Sequence, residues 1–158
     1  MKEVRAKLEG ELHALERELN IELPREIKTA VAMGDLRENA EYHAALDRQR
    51  YVRARIGQLQ LRLSELGTMN MDRIPKDRIG LGTTIVLMDL DVNVEITYEL
   101  VIPEMSDLDK GLVSAASPIG RGLLGHKEGE TVVIEVPSGK KRFDIIEIKT
   151  IHDKEDQA

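Results

Sequence analysis

The sequence predicts an α+β chain of two parts: an N-terminal antiparallel α-helical coiled-coil hairpin, then a small antiparallel β-rich domain with a short helix. Three observations predict it. Two apolar stripes at near-heptad spacing run through the first 66 residues, with charged and amide side chains between them. An aperiodic stretch with Gly and Pro, GTMNMDRIPKDRIGLG, follows over 67–82. Beyond it lie short β-branched runs separated by turn residues. The boundaries read as 1–70 for the hairpin, 71–82 for a linker and 83–158 for the second domain.

In the second arm, Tyr42, Ala45, Gln49, Val52, Ile56, Leu59, Leu63 and Leu66 alternate steps of three and four. That is a coiled-coil seam sustained for more than three heptads. In the first arm, Leu8, Leu12, Leu15, Leu19, Leu23, Ile27 and Ala30 keep a similar stripe, but Leu19 to Leu23 is four where alternation wants three. Such a slip unwinds a coiled coil locally, and Pro24 follows, so a kink or short break is expected there. Met33-Gly34-Asp35 is the turn: Gly34 suits a left-handed helix end, Asp35 an N-cap, and Glu38 completes a capping box. Thirty helical residues rise about 45 Å, so this turn is a remote tip.

In the second domain the strand candidates are Thr84–Met88, Glu95–Ile102, Leu112–Ser114, Thr131–Val136 and Arg142–Thr150. Pro137-Ser138-Gly139 suits a hairpin turn. Ser117-Pro118 suits the N-cap and first residue of a brief helix through Leu124. The tail DKEDQA reads as frayed.

Composition excludes several functions. No Cys is present, which removes a disulfide framework, a thiolate zinc site and a Cys nucleophile. One Phe and no Trp argue against an aromatic platform for single-stranded nucleic acid. The net charge is −6, and residues 1–70 carry 12 Lys+Arg against 12 Asp+Glu, so bulk attraction to DNA is not expected. The charged N-terminus has no signal-like apolar core, and no apolar run approaches the ~18 residues that span a bilayer, which predicts a cytoplasmic protein without a membrane partner. Gly120-Arg121-Gly122-Leu123-Leu124-Gly125 matches GxGxxG but lacks the βαβ context, so its glycines are assigned to turns. The four His residues have no metal-ligand spacing, and His13 and His43 read as solvated side chains on the arms.

The tip carries the chemistry. Gly34-Asp35-Leu36-Arg37-Glu38-Asn39-Ala40-Glu41-Tyr42 concentrates three carboxylates in nine residues. One reading is capping and favourable charge at a helix N-terminus. The other is a set of exposed oxygen ligands for a hard cation such as Mg²⁺, incomplete without a partner. Spacing alone leaves both open.

The segments GDLRENAEYHAA (34–45), SPIGRGLLGHKEGE (117–130) and VPSGKKRFDIIEI (136–148) resemble the GreA/GreB transcript cleavage factors of bacterial RNA polymerase, in the same order and spacing. The resemblance implies an FKBP-like second domain that docks at the rim of the polymerase secondary channel while the coiled coil reaches down it. It implies a monomer whose Asp35 and Glu38 are the catalytic acids. They would hold an Mg²⁺ of the polymerase active centre, shared only within the complex, with no cofactor in the free protein. Asn39, Glu41 and Tyr42 would support the tip: Asn39 shaping the turn, Glu41 as a secondary acid, Tyr42 as the first seam residue. Arg48, Arg50, Arg53 and Arg55 are candidates for contact with the nascent RNA 3′ segment, or else partners for the Glu-rich first arm. Ser117 and Pro118 are candidates for polymerase docking. The implied function is elongation control by stimulating cleavage of backtracked RNA, without the chain being an enzyme itself. The alternatives are a non-cleaving regulator of the same channel and a structural coiled-coil adaptor.

Overall fold

Ala45, Val52, Leu59 and Leu66, seven residues apart, are all buried along α3 (Ala40–Gly67), and Tyr42, Gln49, Ile56 and Leu63 are half-buried beside them. The heptad pattern thus becomes one continuous helix with one buried edge. The computed structural model describes residues 1–156 and divides into two units, Met1–Met69 and Asn70–Ala158.

The first arm solves its register slip without breaking. It comprises α1 (Lys2–Arg17), a π-helical turn (Glu18–Glu22) and α2 (Leu23–Ala32). The buried positions are Leu8, Leu15, Leu23 and Ala30, so the spacing is seven, eight, seven. An extra residue in an ideal α-helix would swing everything beyond it by about 100°. The π turn takes up that residue by lengthening the hydrogen-bonded loop, which keeps Leu23 on the buried edge at 0% exposure. The expected kink or break is therefore corrected to a π turn. Pro24 is the second residue of α2, directly after the π turn.

The arms run antiparallel, which their ion pairs make plain. Arg48 grips Glu18 at 2.6 and 2.8 Å, and seven residues on, Arg55 grips Glu11, seven residues back, at 2.9 and 3.2 Å. These guanidinium hydrogen bonds hold the Glu18 and Glu11 carboxyls below the usual glutamate range. With Arg55 33% and Glu11 41% exposed, solvent screening leaves that pair only about 0.3 kcal/mol. Because the folded values are depressed, the pairs stabilise the hairpin fully above the usual glutamate range. That contribution fades as pH falls through the folded values. Thermal melting between pH 7 and 3 should therefore show an acid limb that is shallower in Glu11→Gln/Glu18→Gln than in the natural chain.

The second unit is a five-stranded sheet in the order β3-β2-β1-β5-β4, from β1 (Thr84–Asp89), β2 (Val94–Val101), β3 (Leu112–Ser114), β4 (Thr131–Val136) and β5 (Gly139–Lys149). All pairs are antiparallel except β2 with β3. Pro137-Ser138 forms the two-residue loop of the β4–β5 hairpin, with Val136 opposite Gly139. Ile85, Leu87, Leu100, Val132, Ile134, Phe143 and Ile145 build the core, and Leu123 of α4 (Pro118–Leu123) closes it.

Three boundaries differ from expectation. Residues 79–82 are not free linker: Ile79 is buried, donates to the His126 carbonyl at 2.9 Å and accepts from the Gly125 N–H at 2.9 Å. The tail is helical over α5 (Ile151–Asp156), because Thr150 and Asp153 cap each other reciprocally, at 2.9 and 3.2 Å. The last two residues of the expected frayed tail lie outside the described residues. Finally, α3 starts at Ala40, not at Asp35.

Candidate functional site: an acidic helical tip

The chain leaves α2 through Met33 and Gly34, whose φ of +125° is a conformation only glycine adopts without strain. Residues 36–38 then form an exposed turn before α3 begins. Asp35 is not the N-cap. Its Oδ1 accepts from the Arg37 N–H at 2.9 Å, a local turn of the kind Asp favours. The N-cap is Asn39, whose Oδ1 accepts from the Tyr42 N–H at 3.1 Å. Asn39 Nδ2 also donates at 2.6 Å to the Ala30 carbonyl at the end of α2, which accepts from the Met33 N–H at 3.1 Å as well. One amide side chain thus ties both arms together beneath the turn, which a carboxylate could not do because it only accepts.

The capping box of Asp35 with Glu38 is accordingly absent, and the carboxylates are distributed differently from expectation. Asp35 and Glu38 stand in the turn and Glu41 in the first turn of α3. All three line one open cleft of about 430 Å³ together with Met33, Asn39 and Ala40. Asp35, Glu38 and Glu41 are exposed, and so are Met33, Leu36 and Val31 around them. Among the described residues, no group of three or more His, Cys, Asp or Glu side chains is close enough to hold a metal ion. Exposed carboxylate oxygens are the donor type that hard cations such as Mg²⁺ accept, and three such side chains stand at this tip.

The other candidates separate. Arg48 and Arg55 are engaged with Glu18 and Glu11, and the Arg48 guanidinium also lies 5.1 Å from the Tyr51 ring centroid. Arg50 makes only a 3.4 Å contact with Asp47, and Arg53 is exposed and makes no ion pair among the described residues. In the second unit, Ser117 accepts from the Gly120 N–H at 3.1 Å and donates to the Ser114 carbonyl at 2.7 Å, which leaves exposed Pro118 as the freer surface. The GxGxxG glycines serve packing and turns: a Cβ on Gly120 would meet the Ser114 carbonyl at 2.1 Å, one on Gly122 would meet Ile134 at 2.8 Å, and Gly125 has φ +83°. Sequence reasoning missed His43, whose Nε2 lies 3.0 Å from the Arg37 carbonyl. The available signal was its position four residues after Asn39, on the face of α3 that a preceding turn can reach.

Comparison with known proteins matches both units. Residues 2–66 match the family model "Transcription elongation factor, N-terminal", and residues 74–150 match "Transcription elongation factor, GreA/GreB, C-term". A transcription elongation factor GreA of Desulfotalea psychrophila is 42% identical over 144 residues, covering 91% of this chain and 89% of the relative. One of Trichlorobacter lovleyi is 39% identical over 142 residues, covering 90% of each. Among solved structures, GreA factor homolog 1 (Gfh1) of Thermus thermophilus is 26% identical, covers 92% of this chain and 94% of that one, and has a TM-score of 0.42.

Proposed function

Because the chain belongs to the GreA/GreB family of transcription elongation factors, we propose that its acidic tip completes the active centre of a bacterial RNA polymerase for cleavage of backtracked RNA. The chain acts on RNA polymerase during elongation, and cleavage stimulation is the activity that fits. One observation carries the finer reading: Asp35, Glu38 and Glu41 surround a single open cleft at the free end of a helical hairpin.

In this reading the second unit docks at the rim of the secondary channel, with Pro118 part of the docking surface, and the hairpin carries the tip inward. Oxygen donors fit Mg²⁺, which in two-metal hydrolysis activates the attacking water and neutralises charge on the phosphate. Asp35 and Glu38 would be the residues that lend carboxylate oxygens to such a cation, and their acceptor oxygens would orient the water by hydrogen bonding. Glu41 adds negative charge one helical turn away. Asn39 keeps the turn in one geometry, so little ordering is left to do when the tip arrives. Exposed Arg50 and Arg53 are better placed to meet extruded RNA phosphates than Arg48 and Arg55, which would first have to leave their glutamates. The chain works as a monomer in the cytoplasm and lends ligands to the polymerase's own hydrolysis.

The test is a stalled, backtracked elongation complex carrying 5′-labelled RNA, incubated with Mg²⁺ with and without the protein. The expected result is rapid shortening of the labelled RNA and restart on nucleotide addition. Inhibition without shortening would support the non-cleaving regulator instead.

A further inference from the structure

The tip turn is tethered unevenly. Its C-terminal end is clamped by Asn39, and Asp35 braces its N-terminal end internally through the Arg37 N–H. Arg37 and Glu38 are exposed, and among the described residues one side chain hydrogen-bonds to the peptide between them: His43, from the first turns of α3, with Nε2 3.0 Å from the Arg37 carbonyl. That carbonyl is bonded directly to the amide nitrogen of Glu38. The contact therefore restrains the peptide from which Glu38 departs, while the Arg37 N–H, in the preceding peptide unit, donates to the Asp35 carboxylate at 2.9 Å.

A carbonyl only accepts, so Nε2 must carry the hydrogen. The ring itself is steadied by its neighbour, with the Tyr42 centroid 5.7 Å away at 58°. Tyr42 is half-buried and sits in the seam position of the hairpin, so the orientation of His43 is referred to the coiled coil.

We propose that His43 is a positioning residue for the two tip carboxylates: by donating from Nε2 to the Arg37 carbonyl, it holds the turn so that Asp35 and Glu38 present their oxygens together. This rests on the cleavage reading above. His43 touches neither cation nor RNA in this role. Misplacing reacting groups by about 1 Å can cost as much as 10²-fold, and losing one tether of several should cost less, roughly 10-fold.

The experiment compares the full-length natural chain with His43→Ala and His43→Gln, because the Gln amide can donate to the same carbonyl while an alanine cannot. Single-turnover cleavage of a backtracked complex is measured across factor concentration. His43→Ala should lower the saturating rate roughly 10-fold with its half-saturating concentration unchanged, and His43→Gln should restore most of the loss. In the free proteins, backbone ¹⁵N relaxation of residues 36–38 should show larger fast motion in His43→Ala than in the other two. An equal saturating rate for His43→Ala, or a loss that His43→Gln does not recover, would overturn the proposal while the natural chain still stimulates cleavage. If the natural chain itself stimulates none, the cleavage reading fails instead, and the relaxation comparison still tests the tether.

Discussion

Asp35→Asn/Glu38→Gln should leave a folded protein that binds polymerase and no longer stimulates RNA cleavage. The structure makes this substitution unusually clean. Asp35 Oδ1 accepts from the Arg37 N–H, and an Asn Oδ1 accepts the same bond in the same place. Glu38 is exposed and does not cap α3, since Asn39 does. The stability change should therefore stay below about 0.5 kcal/mol, as for ordinary surface substitutions. The chemical change is large, because a neutral amide oxygen is a far weaker ligand for Mg²⁺ than a carboxylate. Removing one such electrostatic contact from a reacting phosphate should cost roughly 10²-fold or more, about 3 kcal/mol. Groups that act as a unit are not additive, so the double variant should be only slightly slower than either single one. It should compete with the natural chain and so inhibit. Thermal melting and single-turnover rates at saturating factor check both halves.

Gly120→Ala should be the most damaging small substitution in the second unit. Its Cβ would lie 2.1 Å from the Ser114 carbonyl oxygen and 3.0 Å from the Ala115 Cα, both backbone atoms that no rotamer change can move. The remedy is to lift α4 off the end of β3. That helix is pinned by its Ser117 cap, by Leu123 at 0% exposure and by the close approach of Gly122 to Ile134. Lifting it would open the core beneath Leu123. The cost should reach about 3 kcal/mol, the upper end for overpacking, and lower the melting temperature of this unit by roughly 10–20 °C. Gly125→Ala is the control: nothing lies within 4 Å of its Cβ, and only its φ of +83° opposes the change. It should cost about 1–2 kcal/mol. Calorimetric melting of both variants would test the contrast. Equal melting temperatures would mean that α4 yields more easily than its packing implies.

The seam residues were legible because burial repeats at the helical period: Ala45, Val52, Leu59 and Leu66 are buried where the heptads place them. The extra residue between Leu15 and Leu23 was legible as well, but not its remedy. Sequence spacing records a phase error, while the choice among kink, break and π turn depends on whether Leu23 can still reach the buried edge. The strands were readable from β-branched runs, yet the parallel pairing of β2 with β3 was not, since it depends on where the connection through residues 103–111 returns. At the tip, the local pattern puts the N-cap at Asp35, four residues before the residue that takes the role. Asn39 takes the role because its amide can accept from Tyr42 and donate to Ala30 at once, a long-range advantage that local pattern does not carry. Likewise the partner of His43 was not legible, because it is a backbone carbonyl six residues away in a turn that the capping-box reading makes helical. The carboxylates and Asn39 were legible at the tip, while the His43 contact with the Arg37 carbonyl was not.

The central claim is that Asp35 and Glu38 act as cation ligands and not as helix caps or surface charge. It is tested most directly by the Mg²⁺ dependence of cleavage in the complex. Single-turnover rates would be followed over a wide Mg²⁺ range at constant ionic strength for the natural chain, Asp35→Asn and Glu38→Gln, each at saturating factor. If the carboxylates hold the cation, each substitution raises the Mg²⁺ concentration for half-maximal rate, and high Mg²⁺ recovers part of the loss. An unchanged half-maximal Mg²⁺ concentration in both variants, whether or not the rate falls, would contradict the claim.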